Sequence, residues 1–275
     1  MSSGFLEQVC REARQRVVED RTRESEQTLL RRAQQTPDPP SFAAALAKSG
    51  VAVITEIKRA SPSRGHMSDI ADPVALAHDY VAGGAAAISV LTEPAHFLGS
   101  LADLSAVAAA VSVPVLRKDF IVEDYQVWQS RAAGAAAVLL IVAGLEDTAL
   151  TRLITTTTQA GLDCLIETHS AAEIARAVRA HEQAERECRL ILGVNARDLV
   201  TLEVDREHIS RVRAEADLPS GAILVAESGI RGPADVRSYA AVGADAVLVG
   251  EHVSTAADSR AAVAALVAVA ATASP

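Results

Sequence analysis

Gly84-Ala85-Ala86-Ala87-Ile88 recurs as Gly134-Ala135-Ala136-Ala137-Val138 and again as Gly243-Ala244-Asp245-Ala246-Val247. Each copy has a glycine where a helix should stop and small residues where a strand should start. Glycine reaches the left-handed conformation of a helix cap without a Cβ penalty. The repeat therefore reads as one helix-to-strand junction used three times. Outward from these junctions, apolar, β-branched runs recur at 51–58, 86–93, 114–120, 136–142, 163–168, 190–195, 223–228 and 246–250. Helix-like sequence follows each run. The runs are apolar at consecutive positions, as for strands covered on both faces. Strands alternating with helices imply parallel strands joined by helical crossovers. Eight such units in about 225 residues match an α/β fold of the (β/α)8 TIM-barrel type. A doubly wound sheet usually has fewer strands and a Gly-rich fingerprint after the first strand, and that fingerprint is absent.

The first forty residues differ. Residues 5–33 are dense in Arg and Glu, with Leu6, Val9, Ala13 and Val17 at helical spacing, and Thr36-Pro37-Asp38-Pro39-Pro40 ends the pattern. We expect an N-terminal helical extension over 1–45 that covers the barrel mouth, and the catalytic barrel over 46–275. The whole chain, 275 residues and 49% hydrophobic, has ample length for one such core.

Bulk composition bounds the function. The net charge of −9 argues against a nucleic-acid binder, which would show a basic face. The longest apolar run, 261–271, is too short to span a bilayer, which needs about 20 residues. The first residues carry no charged-then-apolar signal pattern, and three scattered cysteines without metal spacing suit a reducing cytosol. A cytoplasmic protein is expected, a monomer or at most a weak homodimer.

Finer counts point to chemistry. Of 26 lysines and arginines, three are lysine (Lys48, Lys58, Lys118), and Asn195 is the single asparagine. An amine can give up a proton near neutral pH when desolvated, whereas a guanidinium cannot, so a lysine that survives an arginine-rich bias invites a chemical reason. Active sites of this fold lie at the C-terminal ends of the strands. Those ends read Glu56-Ile57-Lys58, Leu91-Thr92-Glu93, Arg117-Lys118-Asp119, Glu167-Thr168-His169, Asn195-Ala196-Arg197-Asp198, Glu227-Ser228-Gly229 and Gly250-Glu251. Two of the three lysines and the only asparagine fall there. Glu93, Asp119 and Asp198 read equally well as ion pairs closing the rim. Strand alternation points Glu56 and Lys58 to one side, into the mouth. Lys118, two strands along, could face Lys58. Two ammonium groups would lower each other's pKa, while adjacent carboxylates would push the other way. The Gly-containing turns at Ser228-Gly229 and Gly250-Glu251, on adjacent strands, suit phosphate held by free backbone N–H groups.

Glu56-Ile57-Lys58-Arg59-Ala60-Ser61-Pro62-Ser63, Ser89-Val90-Leu91-Thr92-Glu93, Pro114-Val115-Leu116-Arg117-Lys118-Asp119-Phe120, Leu165-Ile166-Glu167-Thr168-His169, Gly193-Val194-Asn195-Ala196-Arg197-Asp198-Leu199 and Ala226-Glu227-Ser228-Gly229-Ile230 together resemble the indole-3-glycerol-phosphate synthase family. The match runs in order along nearly the whole chain. It implies a carboxy-lyase of tryptophan biosynthesis, needing neither metal nor cofactor, that converts a small anionic substrate, 1-(2-carboxyphenylamino)-1-deoxyribulose 5-phosphate, into indole-3-glycerol phosphate by ring closure, decarboxylation and dehydration. The resemblance implies catalytic roles for Glu56, Lys58, Lys118, Glu167, Asn195 and Glu227. Lys118 would be the acid of ring closure and Lys58 that of dehydration, although the residues alone leave this assignment open. Ser61, Phe97, Phe120, Arg197 and Leu199 would bind substrate. Lys58, Ser228, Gly229, Gly250 and Glu251 would hold phosphate. Glu251 lies where some relatives carry serine, so its side chain should point away and leave only its N–H in use. Ala196 replaces a second asparagine of some relatives and should point into the barrel wall.

Two other readings are weaker. A phosphoribosylanthranilate isomerase-like enzyme would need a general-base cysteine early in the barrel, and none lies near the first strand. A repurposed or non-catalytic phosphosugar-binding paralogue would have no reason to keep Glu56, Lys58, Lys118 and Glu167 together.

Overall fold

The computed structural model describes residues 3–62, 65–67, 70–185, 188–198, 201 and 203–271. Eight parallel strands close into a barrel: β1 (Ala52–Ile57), β2 (Ala87–Leu91), β3 (Val115–Lys118), β4 (Ala137–Ile141), β5 (Asp163–Thr168), β6 (Ile191–Asn195), β7 (Ile223–Glu227) and β8 (Ala246–Val249). Each strand pairs with its successor, and closure is made by β1 on β8 with Ala52 opposite Ala246. A short two-stranded ribbon, 60–61 with 65–66, follows β1.

The repeated glycine is the device expected. Helix α4 (Pro73–Ala82) runs into Gly84, α6 (Asp124–Ala132) into Gly134 and α10 (Pro233–Ala241) into Gly243, with φ of +96°, +85° and +85°. At each, the next two N–H groups bond back into the last helical turn, as Ala85 to the Tyr80 carbonyl at 3.1 Å and Gly84 to the Val81 carbonyl at 2.9 Å. This satisfies orphan carbonyls and turns the chain directly into a strand.

Strand alternation sorts the core into two layers. Ala52 and Ile54 of β1, Leu116 of β3, Leu139 of β4, Leu165 of β5 and Leu248 of β8 fill the barrel interior. Val53, Val138, Ile166 and Val247 point outward and pack beneath the helices with Tyr80, Leu104 and Leu150. Ala196 also lies in that outer layer, as expected.

The N-terminal helices reach opposite ends of the barrel. Helix α1 (Ser3–Arg23) brings Phe5 and Leu6 to the C-terminal mouth. Helix α2 (Glu26–Gln35) packs on α6 through Leu29 and Tyr125. Helix α3 (Phe42–Leu46) inserts Phe42 and Leu46 into the interior layer, and its Ala43 N–H donates at 2.9 Å to Asp163, the first residue of β5. Among the described residues, no helix is long and apolar enough to cross a membrane.

Two strands, β2 and β3, stop two residues before the ends of their sequence runs, 86–93 and 114–120. Glu93 leaves β2 because its carboxylate accepts from the N–H groups of Ala95, His96 and Phe97, which folds the chain into a turn. Asp119 likewise accepts from the Phe120 N–H at 2.8 Å.

Candidate active site

The inward row of each strand changes character near its C-terminal end. On β1 it continues from Ile54 to Glu56 and then Lys58; on β3, from Leu116 to Lys118. On β5 it passes from Leu165 to Glu167, on β6 from Ile191 through Gly193 to Asn195, and on β7 from Val225 to Glu227. These side chains form the floor of a cavity of about 780 Å3 at the barrel mouth. One alternation therefore both fills the barrel and presents the charged groups.

Lys118 Nζ lies 2.5 Å from Glu227 and 3.4 Å from Glu167. Lys58 Nζ lies 2.8 Å from Glu56. Two close approaches require glycine. A Cβ at Gly193 would lie 2.0 Å from Glu227 Oε1, and one at Gly250 would lie 2.7 Å from Glu56 Oε1 and 3.2 Å from Lys58 Nζ. Gly193 thus vacates the space that Glu227 enters, and Gly250 places the turn after β8 beside the Lys58 ammonium.

Three buried carboxylates and two ammonium groups leave the cluster one proton short of neutrality. Burial favours the neutral form of every member and mutual attraction favours the charged form. Glu56 and Glu167 stay below the usual carboxylate range because, against burial, Lys58 and Lys118 stabilise Glu56, and Lys118, His169 and Asn195 stabilise Glu167. Glu227 carries the remaining proton. Burial, reinforced by the neighbouring Glu167, pushes it up to about 8 despite Lys118. Its Oε1 has no hydrogen-bond partner among the described residues. Lys118 is raised above the ordinary lysine value, since Glu227, Glu167 and Glu56 outweigh its desolvation. The sequence leaves the direction of this shift open, between a facing ammonium and adjacent carboxylates, and the carboxylates supply the larger field. Lys48 sits exposed before β1 and takes no part.

Asn195 bonds Glu167 and accepts the Arg197 N–H at 3.0 Å. Arg197 and the buried Ser61 line the cavity. Phe97 and Phe120 form its aromatic wall, with ring centroids 6.2 Å apart and planes at 47°. Leu199 lies outside the described residues. On the opposite side, Ser228, Gly229, Gly250 and Glu251 line the cavity near Lys58. Ser228 holds a left-handed φ of 68°, uncommon without glycine, and its carbonyl accepts from the Tyr239 hydroxyl at 3.3 Å. Glu251 opens the single turn α11 (Glu251–Ser254), and its backbone carbonyl accepts from the Thr255 hydroxyl at 2.7 Å.

The ambiguous rim acids prove to be structural. Glu93 and Asp119 border the cavity, yet Glu93 is spent on its turn and on Arg16 of α1. Asp119 is held by Arg117 at 2.9 Å, Thr92 at 2.6 Å and Arg16 at 3.4 Å. Asp198 caps its own loop through the Thr201 N–H at 2.8 Å.

Sequence reasoning passed over three groups. Arg206 and Arg231 line the cavity on the side of the Ser228-Gly229 turn, adding positive charge. Arg231 follows the Ser228-Gly229 turn closely enough to have been noticed, whereas Arg206 comes from the β6 loop and left no local signal. His169 lies 3.6 Å from Glu167 and 3.5 Å from Glu173, and these carboxylates hold its imidazole above the usual value against burial.

Similarity to known proteins runs along the same residues. The family model described as indole-3-glycerol phosphate synthase matches residues 6–266. The indole-3-glycerol phosphate synthase of Streptomyces griseus is 50% identical over 265 residues, covering 96% of this chain and 95% of that protein. That of Mycobacteroides abscessus is 52% identical over 240 residues, 87% of this chain and 85% of that protein. Among solved structures, 3-hexulose-6-phosphate synthase from Salmonella typhimurium superposes with a TM-score of 0.59 at 15% identity, covering 80% of this chain and 98% of that one, a likeness of fold alone. The matched span takes in every strand that carries the Lys–Glu cluster, from β1 to β8, and at half the residues identical over almost the full length the chain belongs to the indole-3-glycerol phosphate synthase family.

Proposed function

We propose that this cavity closes the indole ring of 1-(2-carboxyphenylamino)-1-deoxyribulose 5-phosphate, with Lys118 as the first acid and Lys58 as the second. The observation that carries the assignment is the Lys118 ammonium held between Glu227 and Glu167 on the cavity floor. The ring carbon bearing the carboxylate attacks the keto carbon, and the Lys118 proton passes to the oxygen as it becomes a hydroxyl. An ammonium of high pKa still serves here, because the developing alkoxide is more basic. The proton on Glu227 can then recharge the amine across 2.5 Å. Loss of CO2 restores the aromatic ring. The nitrogen lone pair next expels the hydroxyl as water with a proton from Lys58. A carboxylate takes the remaining proton from the adjacent CH2 carbon to give the indole. Glu56 and Glu167 offset the iminium charge that appears before each loss.

Binding follows the same polarity. Arg197 and Ser61 hold the substrate carboxylate, since a guanidinium fork can bond both oxygens. Phe97 and Phe120 pack the anthranilate ring. The phosphate lies by Ser228, Gly229, Gly250 and the Glu251 N–H, with Lys58 bridging to the reacting hydroxyl and Asn195 orienting Glu167. The first helix covers the mouth. All these groups come from one chain, so a monomer suffices, and three free cysteines suit a cytoplasmic enzyme. The test is direct: purified enzyme with the carboxyphenylamino substrate should produce indole fluorescence in real time. Micromolar enzyme without product would exclude the assignment and favour a phosphosugar-binding role.

A further inference from the structure

The outward face of β5 carries a second cluster, near the barrel end opposite the acid–base site. Cys164 is buried in the layer between strands and helices. Cys188, in the segment entering β6, packs on that layer and is half-buried. The Cys164 and Cys188 side chains interact with one another across this layer. His181, in the last turn of α8 (Ala171–Glu182), places Nε2 2.8 Å from the Cys188 carbonyl oxygen and its ring against the sulfur. A surface cavity of about 260 Å3 reaches Cys188, bounded by Pro39, Pro40, Thr158 and Asp163. None of these groups serves the ring closure.

The two thiols are made unequal by their neighbours. Hydrogen bonds from Cys164 and His181 bring Cys188 down to about 5, against burial and the Asp163 charge. Cys164 is raised by the same contact and by complete burial. Cys10, on the buried face of α1, is raised by burial against the pull of Arg14. The sulfur reached by the cavity is therefore the more acidic of the pair and its fully buried partner the less acidic, the arrangement of an attacking and a resolving cysteine.

We propose that Cys164 and Cys188 are a peroxide-reactive dithiol that closes to a reversible disulfide linking the starts of β5 and β6. The Cys188 thiolate attacks one peroxide oxygen, the O–O bond breaks, and the sulfur becomes a sulfenic acid as hydroxide leaves. The Cys164 sulfur then attacks the Cys188 sulfur, its proton goes to the departing hydroxyl, and water is released. Two electrons leave the pair of sulfurs and reduce the peroxide. Dithiothreitol reverses the step by exchange.

The test uses the full-length reduced protein, treated with a few equivalents of hydrogen peroxide at pH 7, alkylated and mapped by mass spectrometry. One bridge between the Cys164 and Cys188 peptides is expected, lost on dithiothreitol treatment, with Cys10 fully alkylated. In Cys164→Ser the sulfenic acid should persist on Cys188 and be trapped by dimedone. Iodoacetamide labelling of Cys188 in the untreated protein should show a pH midpoint well below the ~8.5 of a free thiol, and His181→Gln should move it upward. A midpoint at the free-thiol value, or both cysteines still alkylatable after peroxide, would overturn the proposal. So would bridging through Cys10.

Discussion

Lys118 is worth more than its charge. Arginine in its place would keep one positive charge between Glu227 and Glu167, yet the guanidinium holds its proton at any working pH and its planar fork is wider than an ammonium. Lys118→Arg should therefore fold normally and lose about 100-fold or more in kcat, within the usual worth of a positioned acid. Circular dichroism and steady-state fluorescence would check both halves, and a near-normal rate would reduce Lys118 to a fixed charge. Gly193 offers a second test at this scale. A methyl there would press on Glu227 Oε1 at 2.0 Å, against a carboxylate already locked to Lys118. Gly193→Ala should displace Glu227 and lower kcat by about tenfold or more, since a misplacement of about 1 Å in a reacting array costs on that order. KM should move little, because Gly193 touches neither the phosphate turn nor the aromatic wall. An unchanged kcat would show that Glu227 can shift without consequence.

At the level of elements, Arg16 helps tie α1 to the barrel mouth, beside the Glu12–His96 contact at 2.8 Å and the edge-on packing of Phe5 against the His96 ring. Arg16 reaches Glu93 and Asp119, both at 3.4 Å, from a helix that also lends Phe5 and Leu6 to the cavity. Both acids keep other partners if Arg16 is removed: Glu93 its three backbone N–H groups, Asp119 its Arg117 and Thr92. No buried charge is stranded, so the stability cost of Arg16→Ala should stay near 1 kcal/mol, the range of a partly exposed ion pair. The cover over the substrate should loosen more than the fold does. We expect KM to rise several-fold with kcat nearly kept, read from urea unfolding and steady-state kinetics on one preparation. A fall in kcat at constant KM would instead place Arg16 in the chemistry, through Asp119 beside Lys118. Helix α3 shows what element-level reading of the sequence missed. The expected mouth-covering extension over 1–45 takes in Phe42-Ala43-Ala44-Ala45, yet this helix seals the opposite end, with Phe42 inside the barrel. A five-residue apolar helix carries no mark of which end it will plug.

For the whole molecule, the barrel was legible because two local rules carry it: a glycine that ends helices and an apolar run that starts strands. The site was legible because inward alternation persists to the strand ends, so Glu56 with Lys58 and the isolated Lys118 had to meet. The sign of the Lys118 shift was not legible. It depends on Glu167 and Glu227, brought from β5 and β7 by barrel closure, and on how deeply all three carboxylates are buried. That balance has a consequence for global stability. Glu227 holds a proton up to about 8 in the folded state and, by its ordinary value of 4.5, releases it far earlier when unfolded. Between these values the folded chain binds the extra proton, so this group's stabilisation is full below pH 4.5 and is lost as pH rises through 8. Glu56, Glu167 and Asp119 are depressed, so theirs is present above the ordinary carboxylate range and lost as pH falls through their folded values. Glu227→Gln cancels the first effect and nearly keeps the shape and the bond to Lys118. Urea unfolding of both proteins from pH 5 to 9 should show wild type losing stability relative to the variant as pH rises, with the difference levelling off above about 8. A difference independent of pH would mean that Glu227 stays ionised in the folded protein, and the recharging proton for Lys118 would then have to come from solvent or substrate.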